Sequence, residues 1–361
     1  MHMSSLNVSS LNVSVPVVYV GVDVAQAQLS VAVAQPAAMA QPAAVAQPEV
    51  APSYVGEVAN EEGALAAWVV QMQQQWPQTT LHLVVEPTGG YEQPLVRLVR
   101  QAGWPVSVVN PLQVRQWARG QGRRSKSDRQ DALLLAGYAS QSQPSAQEPL
   151  PEAVEALAEL ERRRDDLCGL IRQEENRHAQ SRYRRLPPAV AQSLQRTLEM
   201  LRQELAAVEQ AIAEHVACQA ELAEERRLLL SVPGVGQRGV HSLLVLLHRF
   251  VAHTAGQGDD KALTAFVGLD PQLHESGKSV RQRPTISKMG DCRARSLLYL
   301  GALGGVRGHN PLRTFYQALV ARGKAKKLAL VAAARKLLIW AWAVFRSHTP
   351  FDPSRHAQAP T

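Results

Sequence analysis

The chain has 361 residues, 45% of them apolar and 19% charged, which excludes a mostly disordered polypeptide and allows two or three domains of about 150 residues each. Lys plus Arg number 39 against 31 Asp plus Glu, a formal net charge of +8, so a polyanionic partner is favoured. Cys168, Cys218 and Cys292 are far apart and form no C-x-x-C pair, which argues against both a disulfide framework and a zinc site.

In chain order, residues 1–14 are Ser-, Asn- and Val-rich without a basic stretch and read as a disordered leader rather than a signal peptide. Residues 17–24 are a β-branched run typical of a buried strand, and residues 28–33 alternate like its hairpin partner. Residues 34–52 repeat Ala-Gln-Pro-Ala-Ala and read as a low-complexity loop. A strand (54–58), a helix (61–75), a strand (81–86), a helix (91–102) and a strand (106–109) follow. That order predicts a mixed α/β sheet over residues 15–150.

Residues 93–127 contain seven bases and no acid, among them Arg115, Arg119, Arg123, Arg124 and Lys126. Residues 151–225 predict a connector of antiparallel helices. Leu194, Leu198, Leu201, Leu205, Val208 and Ile212 recur at alternating steps of four and three, the seam of a coiled coil, and Leu186-Pro-Pro188 breaks the two arms. Residues 226–350 predict a helical domain, followed by a tail at 351–361. Its Ser231-Val-Pro-Gly-Val-Gly-Gln237 looks like a helix-hairpin-helix turn, with Gly234 and Gly236 letting backbone N–H groups approach a phosphate. Residues 276–351 carry fifteen bases against one acid, Asp291. The longest apolar run, 328–345, is broken by Arg335 and Lys336, so no membrane span and a cytoplasmic protein are expected.

Four carboxylates stand out by placement. Asp23 interrupts an apolar strand, where an ionised side chain costs several kcal/mol unless a cation or donors compensate it. Glu86 ends a strand before the glycine turn Pro87-Thr-Gly-Gly90. Asp128 and Asp131 are three apart at the start of a predicted helix and project from one face, although Asp128 alone reads as an N-cap and Asp131 alone as a solvated residue. Together they suit divalent cations clamping a phosphodiester, Mg²⁺ or Mn²⁺ given oxygen ligands. A second group lies near Ser276: Lys278, Arg281, Arg283 and Lys288 could neutralise a phosphorane-like charge. By residues alone Ser276, Ser279 and Ser287 are equal candidates for a nucleophile.

Tyr19-Val-Gly-Val-Asp23, Val85-Glu-Pro-Thr-Gly-Gly-Tyr91, Val108-Val-Asn-Pro111 and Lys126-Ser-Asp-Arg-Gln-Asp-Ala132 resemble the successive signatures of the DEDD transposases of the insertion-sequence one-ten family. In the C-terminal half, Leu230-Ser-Val-Pro-Gly-Val-Gly236, Phe266-Val-Gly-Leu-Asp-Pro271, Glu275-Ser-Gly-Lys-Ser279, Ile286-Ser-Lys-Met-Gly290 and Arg295-Ser-Leu-Leu-Tyr299 match in order. The resemblance implies a RuvC-like, RNase H-type N-terminal domain in which Asp23, Glu86, Asp128 and Asp131 bind metal. It also implies that Ser276 attacks DNA to form a phosphoserine, in a composite site shared between subunits of a dimer or tetramer. An element-encoded guide RNA would pair with target and donor double-stranded DNA. Two rival readings keep some of these features: a structure-selective nuclease that uses the carboxylates and water, and a non-catalytic nucleic-acid scaffold.

Overall fold

The computed structural model describes residues 15–35, 51–122, 127–181, 183, 186–272, 275–276, 280–281 and 285–356. The expected leader, most of the Ala-Gln-Pro loop and the last five residues lie outside them. The chain divides into two compact units, Met1–Glu148 and Pro149–Thr361.

The first unit is a five-stranded mixed sheet: β1 (Val17–Val24), β2 (Gln28–Ala34), β3 (Ser53–Ala59), β4 (Thr80–Val85) and β5 (Val106–Val108), in the order β3-β2-β1-β4-β5. β1, β2 and β3 pair antiparallel, while β1, β4 and β5 pair parallel. Helices cover both faces, which is why the central strands read as nearly continuous apolar runs. Val18, Val20 and Val22 join Leu81, Leu83 and Val85 in a cluster under α1 (Glu62–Gln75) and α2 (Gln93–Gln101). The alternate residues of β1 face α3 (Pro111–Gly120) and α4 (Asp128–Ser142), where Tyr19 and Val84 share a cluster with Val114, Leu135 and Ala139.

Small residues bring α4 onto the sheet. Ala32 and Ala34 of β2 cluster with Ala132 and Ala136 of α4. A Cβ on Gly21 would stand 2.3 Å from the Ala136 backbone nitrogen and 2.8 Å from the Ala132 oxygen, so only glycine admits this contact. At the far edge, residues 144–148 run along β5. Gln147 donates its backbone N–H to Val106 O at 2.8 Å and its amide to Val108 O at 2.8 Å.

The second unit begins with two long helices, α5 (Glu152–Ser181) and α6 (Pro188–Cys218). They pair antiparallel: His215 meets Ala153 O at 2.7 Å near one end, and Arg202 meets Glu175 at 2.7 Å nearer the other. Leu198, Ile212 and Val216 of α6 are buried, whereas Leu194, Leu201, Leu205 and Val208 are half-buried. Next come α7 (Ala220–Leu229), α8 (Val240–Thr254), α9 (Asp260–Val267), four two-residue strands β6 to β9, α10 (Cys292–Gly305), α11 (Pro311–Ala321) and α12 (Lys326–Ser347). The strands depart from the wholly helical expectation, and they carry the segment around Ser276. α12 is long and apolar enough to cross a membrane by length and composition, contrary to the sequence expectation. However, 61% of its apolar window is buried, and Ala333, Ala334, Leu337, Leu338 and Ala341 sit in the core of this unit.

Candidate active site

β1 and β4 run parallel in register, with Val22 opposite Val85. The next residues, Asp23 and Glu86, therefore leave the two central strands side by side. Asp23 is the seventh residue of eight in β1 rather than mid-strand, and Glu86 follows the last residue of β4; both are half-buried. That placement lowers the burial cost expected from the sequence, because water reaches a strand end.

The contacts of α4 bring its first turn to the same end of the sheet. Tyr19 clusters with Leu135 and Ala139, and Gly21 abuts Ala132 and Ala136. Two strand residues advance about 6.6 Å and one helical turn about 5.4 Å, so the step from Gly21 to Asp23 carries α4 back to Asp128 and Asp131. The N-cap is Ser127, whose side chain accepts from Gln130 N at 3.3 Å, and Asp128 is the first helical residue. Asp128 is exposed and Asp131 half-buried. Acids in a first turn also favour the positive end of the helix.

The donors are all carboxylates, which suits a hard divalent cation. Among the described residues no three Asp, Glu, His or Cys groups converge closely enough to hold a metal. The set thus fits such an ion in donor type and in its common end of the sheet, and the carboxylates are not drawn together around one point.

Two residues that the sequence reading did not single out shape the rim. Glu92 is 6% exposed and accepts from Thr88 N at 3.0 Å, Thr88 Oγ1 at 2.8 Å and Gly90 N at 2.9 Å, which locks the turn after Glu86. Burial pushes its carboxyl up, but its own backbone N–H and the Thr88 and Gly90 donors outweigh that and hold it below the usual range. Asn60 Nδ2 donates to Ala25 O and Tyr91 O, both at 3.1 Å, and so braces the β1–β2 turn against the turn after β4. A signal for Glu92 was present: an acid four residues after Thr88 at a helix start is a local capping pattern.

In the second unit β6 (Pro271–Gln272) pairs antiparallel with β9 (Thr285–Ile286), and β7 (Glu275–Ser276) with β8 (Val280–Arg281). Ser276 lies opposite Val280 in the second of these pairs. Of the three candidate serines, Ser287 has a described side-chain bond. Ser287 donates its hydroxyl to the Asp270 carboxylate, while its N–H donates to Asp270 O at 2.9 Å, so it belongs to the base of the hairpin. Ser279, Lys278 and Arg283 lie outside the described residues, as do Arg123, Arg124 and Lys126. Lys288 is exposed at φ +57°, and its N–H donates to Gly268 O at 3.1 Å. On α3, Arg115 and Arg119 are exposed and one turn apart.

The two turn glycines also separate. A Cβ on Gly234, at φ +98°, would stand 2.6 Å from Leu337 Cδ1 and 2.8 Å from Gly301 O, so this glycine serves packing onto α10 and α12. Gly236 has open space around its Cα. Behind the turn, Arg164 Nη1 donates to Glu161 Oε1 at 2.7 Å and to Arg238 O at 3.1 Å, and Ser242 donates to the other Glu161 oxygen. Burial raises the Glu161 carboxyl, an effect opposed by those donors. Burial, with the charges of Arg226 and Arg164, pushes His241 down to about 4, so its Nε2 accepts from Arg226 Nε at 3.0 Å.

A family profile of DEDD transposases of the IS110 type matches residues 20–181, and one described as transposase IS116/IS110/IS902 family matches residues 226–317. The four carboxylates fall in the first span and Ser276 in the second. The pilin gene-inverting protein of Moraxella lacunata is 29% identical over 303 residues, covering 82% of this chain and 90% of the relative; its Moraxella bovis counterpart matches to the same extent. The transposase for insertion sequence element IS1111A of Coxiella burnetii is 28% identical over 291 residues, covering 72% and 76%.

Proposed function

Since the chain belongs to the IS116/IS110/IS902 transposase family, two profiles of which together cover more than two-thirds of it, and is a DNA transposase or recombinase, we propose that it exchanges DNA strands through a covalent phosphoserine at Ser276. The observation that carries this reading is the pairing of β7 with β8, which puts Ser276 on a hairpin arm while the hydroxyl of Ser287 is spent on Asp270. In that step the Ser276 oxygen bonds to a DNA phosphorus, the bond from phosphorus to a sugar oxygen breaks, and the serine proton ends on the leaving hydroxyl. Reversal onto a different strand end completes the exchange without hydrolysis. The relatives named for inverting a pilin gene support recombination as the outcome.

The mixed five-stranded sheet is read as RuvC-like, with Asp23, Glu86, Asp128 and Asp131 as the residues that would hold Mg²⁺ or Mn²⁺. A bound ion would supply Lewis-acid polarisation of the phosphate. The protein itself orients the acids: Asn60 and Glu92 fix the turns that flank Asp23 and Glu86, and the alanine seam sets α4. Arg115, Arg119 and the basic C-terminal unit neutralise phosphates without reading sequence, which agrees with sequence choice by a guide RNA in a cytoplasmic homo-oligomer.

A denaturing gel of the full chain with guide RNA and labelled DNA tests the reading. A protein–DNA adduct that disappears in Ser276→Ala and persists in Ser279→Ala is expected. Nicking by Ser276→Ala at the wild-type rate would replace it with metal-activated hydrolysis.

A further inference from the structure

The base of the Ser276 hairpin is built more firmly than a loop requires. Pro271 pairs with Ile286 and Gln272 with Thr285. Below them, Ser287 N–H donates to Asp270 O at 2.9 Å, and Lys288 N–H donates to Gly268 O at 3.1 Å. Under these rungs a single guanidinium nitrogen, Nη1 of Arg295, donates to Val267 O at 3.0 Å and to Gly290 O at 2.6 Å. One carbonyl lies where the chain leaves α9 and the other where it returns toward α10. Two glycines permit the approach. A Cβ on Gly290 would stand 2.0 Å from Phe266 O, and one on Gly268, at φ +75°, would stand 2.7 Å from Gly290 N. Arg295 itself rides on α10, which the core grips through Ala294, Leu298 and Ala302.

We propose that Arg295 is a positioning residue for strand transfer: its two charge-assisted bonds tie both ends of the segment that carries Ser276 to α10 and so fix where that segment leaves and rejoins the helical core. The proposal rests on the reading of Ser276 as the nucleophile. Arg295 touches no reacting atom; it acts through those ends. Its bonds go to backbone carbonyls at the edge of the unit and its side chain is only half-buried, so its removal leaves the packed core in place. A shift at either end displaces the segment that carries Ser276, and misplacement of about 1 Å can cost a reaction about a hundredfold.

The test measures the rate of covalent adduct formation by the full chain with saturating guide RNA and labelled DNA, alongside DNA affinity and melting temperature. Arg295→Ala should slow the adduct step by about ten- to a hundredfold while affinity and melting temperature stay near wild type. Arg295→Lys should recover part of the rate, and low concentrations of guanidinium ion should partly restore Arg295→Ala. An unchanged rate in Arg295→Ala overturns the proposal, and so does a loss that follows a lowered melting temperature and is rescued by neither lysine nor guanidinium. Ser276→Ala is run in parallel. Adducts persisting there would remove the Ser276 reading and this proposal together, whereas failure of the Arg295 arms with Ser276→Ala silent would leave the Ser276 reading standing.

Discussion

Three serines lie in the basic stretch between α9 and α10, and one of them, Ser287, is committed to a structural bond. A hydroxyl already donating to a carboxylate, as Ser287 does to Asp270, is held in a structural bond and is a poor choice to attack phosphorus. Ser287→Ala should therefore keep adduct formation, at a reduced rate, and lower stability by about 1 kcal/mol, the usual net value of one such bond. Thermal melting and the adduct gel together check this. A titrating residue of the first unit gives a second expectation. His82 is 7% exposed and shares a 2.8 Å bond with Ser107, whose own proton goes to Ser145 O at 2.8 Å, so His82 Nε2–H donates to Ser107 Oγ. Burial pushes its pKa down to about 4. With the folded value below the unfolded one, its contribution is complete above about pH 6.5 and is lost as pH falls toward 4, on the order of 2 kcal/mol by pH 5. Urea unfolding at pH 7.5 and pH 5 should show that loss. A shallower dependence is expected for His82→Asn, with the remainder including His241, which burial also holds at about 4.

At the scale of elements, small residues decide where α4 rests. Gly21→Ala would drive a Cβ into the α4 backbone, which has no rotamer with which to yield, so α4 must lift. The expected result is at least 1–3 kcal/mol of destabilisation, about the usual cost of overpacking, with loss of DNA cleavage because Asp128 and Asp131 move with the helix. Retained activity in a folded Gly21→Ala protein would separate α4 from the site. The same logic parts the two turn glycines of the C-terminal unit. Gly234→Ala meets Leu337 and Gly301 at a positive φ and should lower the melting temperature, whereas Gly236→Ala has room and should leave it unchanged. A drop in DNA affinity for Gly236→Ala with the fold intact is the outcome expected if that backbone approaches phosphate.

At the scale of the whole molecule, charge governs the partner. With a net charge of +8, binding to DNA or RNA should weaken steeply with salt as counterions are released. Arg115→Glu combined with Arg119→Glu should flatten the slope of log affinity against log salt by about two units if each residue meets one phosphate. An unaltered slope would move the binding surface off α3. The order of the five strands with α1, α2 and the start of α4 was legible beforehand, because β-branched runs and turn residues are local patterns, whereas α3 was not expected. Asp23, Glu86, Asp128 and Asp131 were legible as unusual for their places, and the membership of the chain in its family was legible from ordered motifs. What tertiary structure alone decided is relational. The register of Val22 with Val85 sets Asp23 beside Glu86, and a glycine–alanine seam brings the first turn of α4 to the same end of the sheet. Ser287 is bonded to Asp270, seventeen residues away, and Arg295 reaches Val267 at a separation of twenty-eight. Sequence periodicity reports which face of an element is apolar, whereas these contacts depend on which elements meet and how closely. That is fixed only when small residues, strained turns and buried hydrogen bonds select one packing among those the pattern allows.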